Sequence, residues 1–217
     1  MNSVIIAIDG QASSGKSTQA KKIAKYLNYD YKDSGAFYRA ITLYLIQNKI
    51  DPDIEISQNI LDKIFIDQFF EGDTLVVNLN GNDVTNKIRG FKVSTSVSRY
   101  AKKIEIRNFV YKQLRASAES NSLVIDGRDI GTVVFPDATY KFFLMADPKV
   151  RAERRHKQIN SKSLRVESIE DEIRLRDDVD STRKIAPLKK AKDAYVIDVT
   201  HLNIDQVFKR IIQKINS

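Results

Sequence analysis

The sequence contains no cysteine and no tryptophan, and only 4 of its 217 residues are proline. The lack of cysteine excludes disulfide bonds, thiolate catalysis and zinc sites built on cysteine. No stretch reaches the ~20 consecutive apolar residues that a membrane-spanning helix needs, and no basic leader or cleavage site precedes the first apolar run, residues 4–8. Because 42% of the residues are hydrophobic, the chain can bury a core. We therefore expect a soluble cytoplasmic protein.

Basic residues outnumber acidic residues, 36 to 28, which gives a formal net charge of +8. Such an excess suits nucleic acids, anionic membranes or small phosphorylated ligands. A nucleic-acid binder usually concentrates its lysines and arginines in a patch or tail, often with aromatic residues between them. Here the basic residues are spread along the chain. We expect small phosphorylated ligands and no nucleic-acid or membrane partner, with a nucleic-acid-binding module as the alternative.

Apolar patterns predict strands that alternate with helices. Apolar residues at helical spacing predict a helix after residue 16 and another near the C-terminus. Asn203 and Gln206 form a plausible capping pair for the second of these helices. Short apolar runs predict core strands over residues 4–9, 123–126, 140–145 and 195–199. This alternation predicts an α/β fold with a mostly parallel sheet that is covered on both faces.

One segment departs from this alternation. Residues 75–79, the pair Asn80-Gly81 and residues 82–84 predict a β-hairpin with a type I′ turn. We expect helical stretches on either side, at residues 55–69 and 88–119. Residues 149–178 are strongly charged and predicted to be helical, with an interruption at residues 160–163 that is a candidate mobile lid.

A phosphate-binding loop follows the first predicted strand. The segment GQASSGKS matches the pattern G-x-x-x-x-G-K-S, in which two glycines let backbone N–H groups turn inward around phosphate oxygens. The lysine of this pattern reaches the β- and γ-phosphates, and the serine hydroxyl can ligate Mg²⁺. We expect Ser17 to be the protein's ligand for Mg²⁺. The residues expected to bind ATP are Gly10, Gln11, Ala12, Ser13, Ser14, Gly15, Lys16, Ser17 and Thr18.

The loop alone does not identify the reaction, because GTPases, ATP-driven motors and small-molecule kinases share it. A GTPase also needs an N-K-x-D motif that reads guanine, and we expect no such motif in this chain. A motor is normally larger and carries an acidic Walker-B strand, which residues 123–126 match only loosely. A small kinase with an insert and a lid fits the layout best.

Three groups of residues are candidates for holding the phosphoryl acceptor. Arg39, in the segment DSGAFYR, can clamp a phosphate with two parallel hydrogen bonds. Arg128 and Asp129 follow a core strand, at the edge of an open sheet where ligands bind. Arg176, Asp180 and Arg183 are spaced to share one helix face. The structural alternatives are a helix cap at Ser34 with an incidental arginine, a turn with a self-paired Arg–Asp, and a solvated ion-pair face.

Four segments together resemble the bacterial cytidylate kinase family, in sequence, order and spacing: IDGQASSGKST, DSGAFYRA, IDGRDIGTVVFPDA and RDDVDSTRKIAPL. The resemblance covers nearly the whole chain. It implies a P-loop NTPase-type three-layer sandwich with a central parallel five-stranded sheet, an inserted NMP-binding subdomain containing the β-hairpin, and a short lid. The implied single domain has its core at residues 1–33, 120–148 and 166–217, the insert at 34–119 and the lid at 149–165.

The resemblance also implies roles for individual residues. Ser98, Arg107 and Asp129 would recognise cytosine, Asp180 with Arg176 would bind the sugar hydroxyls, and Ser34 would lie beside the nucleotide. The lid would supply arginines, for which Arg151, Arg154 and Arg155 are candidates. Gln11 stands where the family usually has proline, and Val179 where it commonly has a basic residue. Lys16, Arg39, Arg128 and Arg183 would hold the phosphates and act in catalysis.

The implied reaction is phosphoryl transfer from ATP to CMP or dCMP with Mg²⁺, by an enzyme that we expect to be monomeric. A phosphate acceptor with a second pKa near ~6 is already ionised at neutral pH, so no general base is required. A kinase for an alcohol acceptor is the alternative, with Asp33 as its base. His156 is expected to lie on a solvated face. We also expect Asp177 and Asp178 to be exposed, with a water-mediated contact to Mg²⁺ left open.

Overall fold

The computed structural model describes residues 3–159 and 165–217. The chain forms two compact units, which we call the core unit (Met1–Lys32 and Ser117–Ser217) and the insert unit (Asp33–Ala116). In chain order the elements are β1 (Ile5–Gly10), α1 (Lys16–Leu27), β2 (Asp30–Asp33), α2 (Ser34–Gln47), α3 (Gln58–Leu61), β3 (Ile66–Glu71), β4 (Thr74–Leu79), β5 (Asn82–Asp83), α4 (Phe91–Tyr100), α5 (Ile104–Ala116), β6 (Leu123–Gly127), β7 (Tyr140–Met145), α6 (Pro148–Ile159), α7 (Val166–Thr182), β8 (Tyr195–Asp198) and α8 (Ile204–Ile215).

The core unit is built on a five-stranded sheet in the order β2-β6-β1-β7-β8. The central strand β1 pairs in parallel with β6 and β7, and β8 pairs in parallel with β7. Ile6 and Ile8 of β1 are fully buried, as expected for a strand covered on both faces. The predicted α/β fold with a central five-stranded sheet is confirmed.

Local sequence signals account for the helices that flank this sheet. The buried residues of α1 include Ala20, Ile23 and Ala24, which lie on one face at the predicted helical spacing. Asn203 and Gln206 form a capping box at the start of α8, with each side chain accepting a backbone N–H of the other residue. None of the described helices has the length and apolar character that crossing a bilayer requires.

The insert unit contains an antiparallel sheet in the order β3-β4-β5. Asn80 and Gly81 connect β4 to β5 with φ values of 50° and 79°. A type I′ turn requires positive φ at both central residues, so the predicted hairpin is confirmed. Its stability depends on the two residues that tolerate this backbone best.

The predicted helix over residues 55–69 is wrong. Only α3 is helical there, and β3 forms the third strand of the insert sheet. Ile66 and Gln68 alternate with exposed neighbours and lie opposite Leu79 and Val77 of β4, so pairing with the hairpin overrides the weak helical pattern. The predicted helical stretch over residues 88–119 is divided into α4 and α5.

The segment Asn48-Lys49-Ile50-Asp51 matches N-K-x-D by its letters. It lies in the turn after α2, in the insert unit, where the Asn48 amide donates to the carbonyl oxygen of Tyr44 at 2.8 Å. The Asp51 carboxylate accepts the N–H of Asp53 at 2.8 Å. Both side chains therefore serve the local turn and do not form a guanine-reading loop of the core unit.

Candidate active site

The phosphate loop leaves β1 through a backbone that only glycine tolerates. Gly10 has φ 149°, and a Cβ atom at this position would lie 2.1 Å from the carbonyl oxygen of Leu144. Gly15 has φ 86° and directly precedes α1. The loop residues 10–15 thus turn tightly between the central strand and the first helix, as an N–H cradle for phosphates requires.

Gln11 ties the loop to the end of β7 twice. Its N–H donates to the carbonyl oxygen of Leu144 at 3.3 Å, and its side-chain Oε1 accepts the N–H of Ala146 at 3.2 Å. A proline here could make neither contact, because it has no N–H and no side-chain acceptor. Gln11 therefore replaces the stiffness of a proline ring with two hydrogen bonds.

Lys16 is 5% exposed and lies against its own loop. Its Nζ donates to the carbonyl oxygen of Gln11 at 2.6 Å and to the Ser14 hydroxyl at 3.4 Å. Burial first, and then the positive charge of Arg128, lowers the pKa of Lys16 to about 7. Asp126 works against this shift, and Arg176 adds to it. The lysine of the donor loop therefore lies within electrostatic reach of two arginines predicted on the acceptor side.

Asp9 connects the donor loop to the turn that follows β6. Its two carboxylate oxygens accept the N–H groups of Ile130 at 2.9 Å and of Gly131 at 2.7 Å. These residues open the π-helical turn Ile130–Val134, which directly follows Arg128 and Asp129. Burial raises the pKa of Asp9 to about 6, although both hydrogen bonds oppose the shift. Asp9 thereby fixes the acceptor-side turn relative to the end of β1.

Replacing Asp9 by asparagine is expected to change how stability depends on pH. The pKa of Asp9 rises on folding, so its contribution to stability is full below its unfolded pKa and is lost as pH rises through about 6. Relative to the native protein, the Asp9→Asn variant should gain about 2 kcal/mol of unfolding free energy between about pH 4.5 and about pH 7.5. Urea denaturation at both pH values measures this difference. Parallel stability profiles for the two proteins would contradict the assignment.

The core unit brings together the charged residues predicted after β6 and in α7. Arg128 donates from Nε to Asp180 at 2.9 Å. Arg183 lies 3.5 Å from Asp129 and 3.6 Å from Asp180, measured between guanidinium nitrogen and carboxylate oxygen. Arg176 is close enough to affect both Asp180 and Lys16. The three arginines and the two aspartates form one charged network within the core unit.

The pKa values follow from this network. Burial opposes ionisation of Asp180, but the charges of Arg128, Arg176 and Arg183 outweigh it and hold the pKa of Asp180 below its usual value. Burial likewise opposes the charge of Arg128, and Asp180 raises the pKa of Arg128 above its usual value. A half-buried ion-pair network of this kind contrasts with the solvated ion-pair face that was the structural alternative.

Arg183 is not on the helix that the spacing predicted. The helix α7 ends at Thr182, and Arg183 has the extended backbone angles φ −60° and ψ 141°. Its Nε donates to the carbonyl oxygen of Ala186 at 2.5 Å. The chain turns back after the helix, and this turn directs Arg183 towards Asp129 and Asp180.

The insert unit holds the remaining predicted residues. Arg39 donates to the carbonyl oxygen of Ile88 at 3.2 Å and to the hydroxyl of Ser94 at 2.9 Å. Ser34 is buried in the first turn of α2, and the cap of that helix is Asp33, whose carboxylate accepts the N–H of Ala36 at 3.0 Å. Ser34 is therefore not the N-cap considered in the sequence, and Asp33 is already engaged.

Arg107 is 1% exposed and lies near two tyrosine rings. Its guanidinium carbon lies 5.4 Å from the ring centroids of both Tyr38 and Tyr111. Arg107 also donates to the Tyr111 hydroxyl at 2.8 Å and to the carbonyl oxygen of Ala101 at 2.9 Å. Ser98 is half-buried on α4. Arg107 is thus a fixed, buried cation, whereas sequence spacing alone gave no reason to expect burial.

Two of the three candidate lid arginines have structural partners. Arg151 is 1% exposed and contacts the phosphate loop, so it is not a solvent-facing arginine of a lid. Arg154 donates from Nη2 to the carbonyl oxygen of Val199 at 2.7 Å. Arg155 is exposed. The predicted interruption at residues 160–163 lies outside the described residues.

Ser17 fits the chemistry of a magnesium ligand. It lies in the first turn of α1, next to Lys16, with its side chain half-buried. The described residues include no group of three or more His, Asp or Glu side chains placed to hold a metal ion. Mg²⁺ takes oxygen ligands, keeps several waters and is commonly held by few protein groups together with substrate phosphates. One hydroxyl beside a phosphate loop meets that requirement.

Asp9 and Tyr31 have buried polar roles that were not predicted from the sequence, and the predicted exposure of Asp177 is wrong. The Tyr31 hydroxyl donates to Asp126 Oδ1 at 2.6 Å, within the buried part of the core unit. Asp177 was expected to be exposed, but it accepts the N–H of Ala12 at 2.9 Å. A carboxylate at the end of a fully apolar strand, as Asp9 is, was the one sequence signal that pointed to a buried polar role.

Comparison with known proteins identifies the family. The sequence model of the cytidylate kinase family matches residues 6–217. A cytidylate kinase of Clostridium tetani is 47% identical over 218 residues, covering 99% of this chain and 94% of the relative. One of Thermosipho melanesiensis is 46% identical and covers 96% of this chain and 94% of the relative.

Solved structures of low sequence identity share the fold. A protein of Eubacterium ventriosum superimposes with a TM-score of 0.57 at 15% identity and covers 99% of each chain. The shikimate kinase of Bacteroides thetaiotaomicron gives a TM-score of 0.51 at 13% identity, also over 99% of each chain. At such identities the likeness concerns the fold alone, and the family follows from the sequence relatives. The chain belongs to the cytidylate kinase family.

Proposed function

We propose that this enzyme transfers the γ-phosphoryl group of ATP to CMP or dCMP, giving ADP and CDP or dCDP. The family and its relatives support the reaction, and the observation that carries the mechanism is electrostatic. Burial lowers the pKa of Lys16 in the donor loop, and the nearby charges of Arg128 and Arg176 lower it further. Donor and acceptor phosphates held by these groups would therefore meet in one cationic site of the core unit.

The chemistry needs positioning and charge neutralisation more than proton transfer. The phosphate of a nucleoside monophosphate has a second pKa of about 6 and is mostly ionised at neutral pH. Bringing it to the triphosphate requires cations that offset the repulsion between two polyanions. Lys16, Arg128 and Arg183 of the core unit are the cations proposed for this role, and Arg39 is proposed to clamp the acceptor phosphate.

Mg²⁺ would be held by the Ser17 hydroxyl together with phosphate oxygens. Bound there, it would neutralise charge on the β- and γ-phosphates during transfer. The backbone of residues 13–17 would hold the phosphates from the other side through its N–H groups. Lys16 would release its contact with the Gln11 carbonyl and donate to the phosphates instead. The triphosphate would restore the charge of this lysine, because a bound anion raises its pKa.

Cytosine recognition is assigned to Ser98, Arg107 and Asp129, with Ser34 beside the nucleotide. Arg107 is buried and donates to the Tyr111 hydroxyl and the Ala101 carbonyl oxygen, which limits the entropy it would lose on binding a base. Asp180 and Arg176 would bind the sugar hydroxyls. The Asp180 carboxylate already accepts from Arg128, and its remaining lone pairs could accept a hydroxyl.

An alcohol acceptor is less well supported. Such a kinase needs a carboxylate base near the hydroxyl, and Asp33 was the candidate. The Asp33 carboxylate instead caps α2, where it accepts the N–H of Ala36. The proposal also includes a monomeric enzyme in the cytoplasm with no nucleic-acid or membrane partner. The dispersed basic residues and the small substrates support the absence of such a partner.

The experiment that tests this function is a coupled assay of ADP release across five acceptors. With CMP and dCMP the enzyme should turn over fastest, and UMP, AMP and GMP should each give a lower kcat/KM. Because buried groups that hydrogen-bond a base are left unpaired by the wrong base, the purine nucleotides should lose at least about a hundredfold. Equal activity with AMP would contradict cytosine recognition. Turnover with an alcohol but not with CMP would favour the alternative.

A further inference from the structure

Ala12 of the phosphate loop is held through its backbone by two side chains from distant parts of the sequence. Its N–H donates to Asp177 Oδ1 of α7 at 2.9 Å. Its carbonyl oxygen accepts from Arg151 Nη1 of α6 at 2.9 Å. Charged side chains from outside the loop therefore hydrogen-bond both the backbone N–H and the backbone carbonyl of Ala12.

Arg151 and Asp177 also bind each other, and the network closes on the sheet. Arg151 Nη1 lies 2.5 Å from Asp177 Oδ2, and Arg151 Nε donates to the carbonyl oxygen of Ala146 at 2.9 Å. The N–H of Ala146 in turn donates to the Gln11 side chain at 3.2 Å. The network thus joins the end of β7 and the helices α6 and α7 to Gln11 and Ala12 of the loop.

Apolar packing supports the same attachment. The methyl group of Ala12 is buried in a cluster with Ala152, Ile169 and Ile173. Ala152 follows Arg151 on α6, and the two isoleucines lie one and two turns before Asp177 on α7. Side-chain packing and the charged pair therefore fix the same residue from the same two helices.

We propose that Arg151 and Asp177 are positioning residues that hold the first half of the phosphate loop in its phosphate-binding conformation. The N–H of Ala12 is directed to Asp177, and that of Ser14 donates to the carbonyl oxygen of Gln11 at 3.4 Å. The proposed cradle therefore consists of the other N–H groups of the loop, those of Ser13 and of Gly15 to Ser17. In this role Arg151 and Asp177 act through the backbone of Ala12. The inference rests on the proposed role of this loop in binding ATP.

A buried ion pair is suited to holding Ala12 in a fixed position, because each charge compensates the other. Arg151 has a 1% exposed side chain and Asp177 a 15% exposed one. Removal of either charge would leave the other uncompensated in a desolvated place. The remaining charged side chain would then change its rotamer or recruit water near the loop, and Ala12 would shift. A misplacement of about 1 Å can cost about a hundredfold in a reaction that depends on positioning.

The variants Asp177→Asn and Arg151→Lys test the proposal, because each retains size and removes one feature. Asparagine can still accept the N–H of Ala12 but carries no negative charge. Lysine keeps the positive charge but lacks the planar guanidinium that donates to several acceptors at once. Each should raise the Kd for ATP, measured by calorimetry without acceptor, by about tenfold or more. The KM for CMP should stay within about twofold. The double variant should be no weaker in ATP binding than the weaker single variant, because the pair acts as one unit.

Matched controls lie on α7, the helix that carries Asp177. Asp171→Asn and Arg174→Lys make the same chemical changes at exposed positions of α7 and should leave the Kd for ATP unchanged. An unchanged Kd for ATP in both test variants would overturn the proposal. So would an equal rise of the CMP and ATP constants, since that result indicates general loosening of the fold. Measuring the Kd without acceptor keeps this test separate from the identity of the acceptor.

Amide exchange in the native protein provides a test that requires no variant. The N–H of Ala12 should exchange slowly with and without ATP, because Asp177 holds it in both states. The N–H groups of Ser13 and Gly15 should become protected only when ATP binds. Fast exchange at Ala12 in the free enzyme, or protection there only after ATP is added, would overturn the proposal.

Discussion

Replacing Lys16 by methionine should lower kcat/KM by about 10²–10³-fold, because it removes one preorganised cation from the transferred phosphoryl group. Methionine matches the length of the lysine stem and leaves the loop packed. In the structure Lys16 is buried and donates to the Gln11 carbonyl, so it needs only to turn from this contact to reach phosphate. Steady-state kinetics with CMP and ATP measures the loss.

Thermal unfolding distinguishes a catalytic loss from a folding defect in this variant. Burial lowers the pKa of Lys16 to about 7, which means that the charged form is destabilised in the folded protein. The pKa falls on folding, so this group costs stability at any pH below its unfolded pKa. The Lys16→Met variant should therefore have a Tm equal to or above that of the native protein. Near-native activity, or a lowered Tm that accounts for the activity loss, would contradict the assigned role.

Replacing Arg183 by alanine should cost about 2–4 kcal/mol of transition-state stabilisation, which is about 30-fold to 800-fold in kcat/KM. Arg183 is 8% exposed and lies between Asp129 and Asp180. Its removal deletes a phosphate clamp and leaves two carboxylates near one another with less positive charge. Kinetics with ATP and CMP measures the effect.

Arg174→Ala is the matched control for Arg183→Ala. Arg174 lies on α7 and forms an exposed ion pair with Glu170 at 2.6 Å, a contact worth only a few tenths of a kcal/mol (about 0.5 at most). Its loss should leave kcat/KM unchanged. Arg183→Lys should recover part of the activity, because it restores the charge without the two-pronged geometry. A decrease of less than about tenfold for Arg183→Ala would contradict its role in catalysis.

Local sequence patterns predicted the parts of the fold that depend on local physics. The limits of β7 were predicted from a six-residue segment with five apolar residues, and the capping pair of α8 from two polar residues three positions apart. Asn80-Gly81 predicted the hairpin because few residue pairs tolerate positive φ twice. The four motifs predicted the cytidylate kinase family, and the comparisons confirm it.

Features that depend on distant partners were not predicted. The strand β3 lies largely in a stretch that was predicted to be helical, and its pairing with β4, a distant partner in sequence, decides the structure. Arg183 was placed on a helix face, although the chain leaves the helix one residue earlier. Composition and spacing could not show that Arg151 and Asp177 meet at Ala12, since a contact between two helices and a loop leaves no local pattern.

The letters of a motif can also mislead where its position in the fold is unknown. Asn48 to Asp51 reads as N-K-x-D, yet its side chains bond to the turn after α2. The phosphate loop is different, because the strand before it and the helix after it are required by the motif and both are present. Position relative to strand and helix is therefore what gives a short motif its meaning.

The most direct test of this account follows the phosphorus atom itself. ATP carrying a radioactive label at its γ-phosphate is incubated with CMP, Mg²⁺ and the enzyme, and the products are separated. We expect the label in the β-phosphate of CDP, with one ADP formed for each CDP. The Lys16→Met variant should form labelled CDP only at its low residual rate. Label found only as inorganic phosphate, or in no product when CMP is the acceptor, would contradict the central claim.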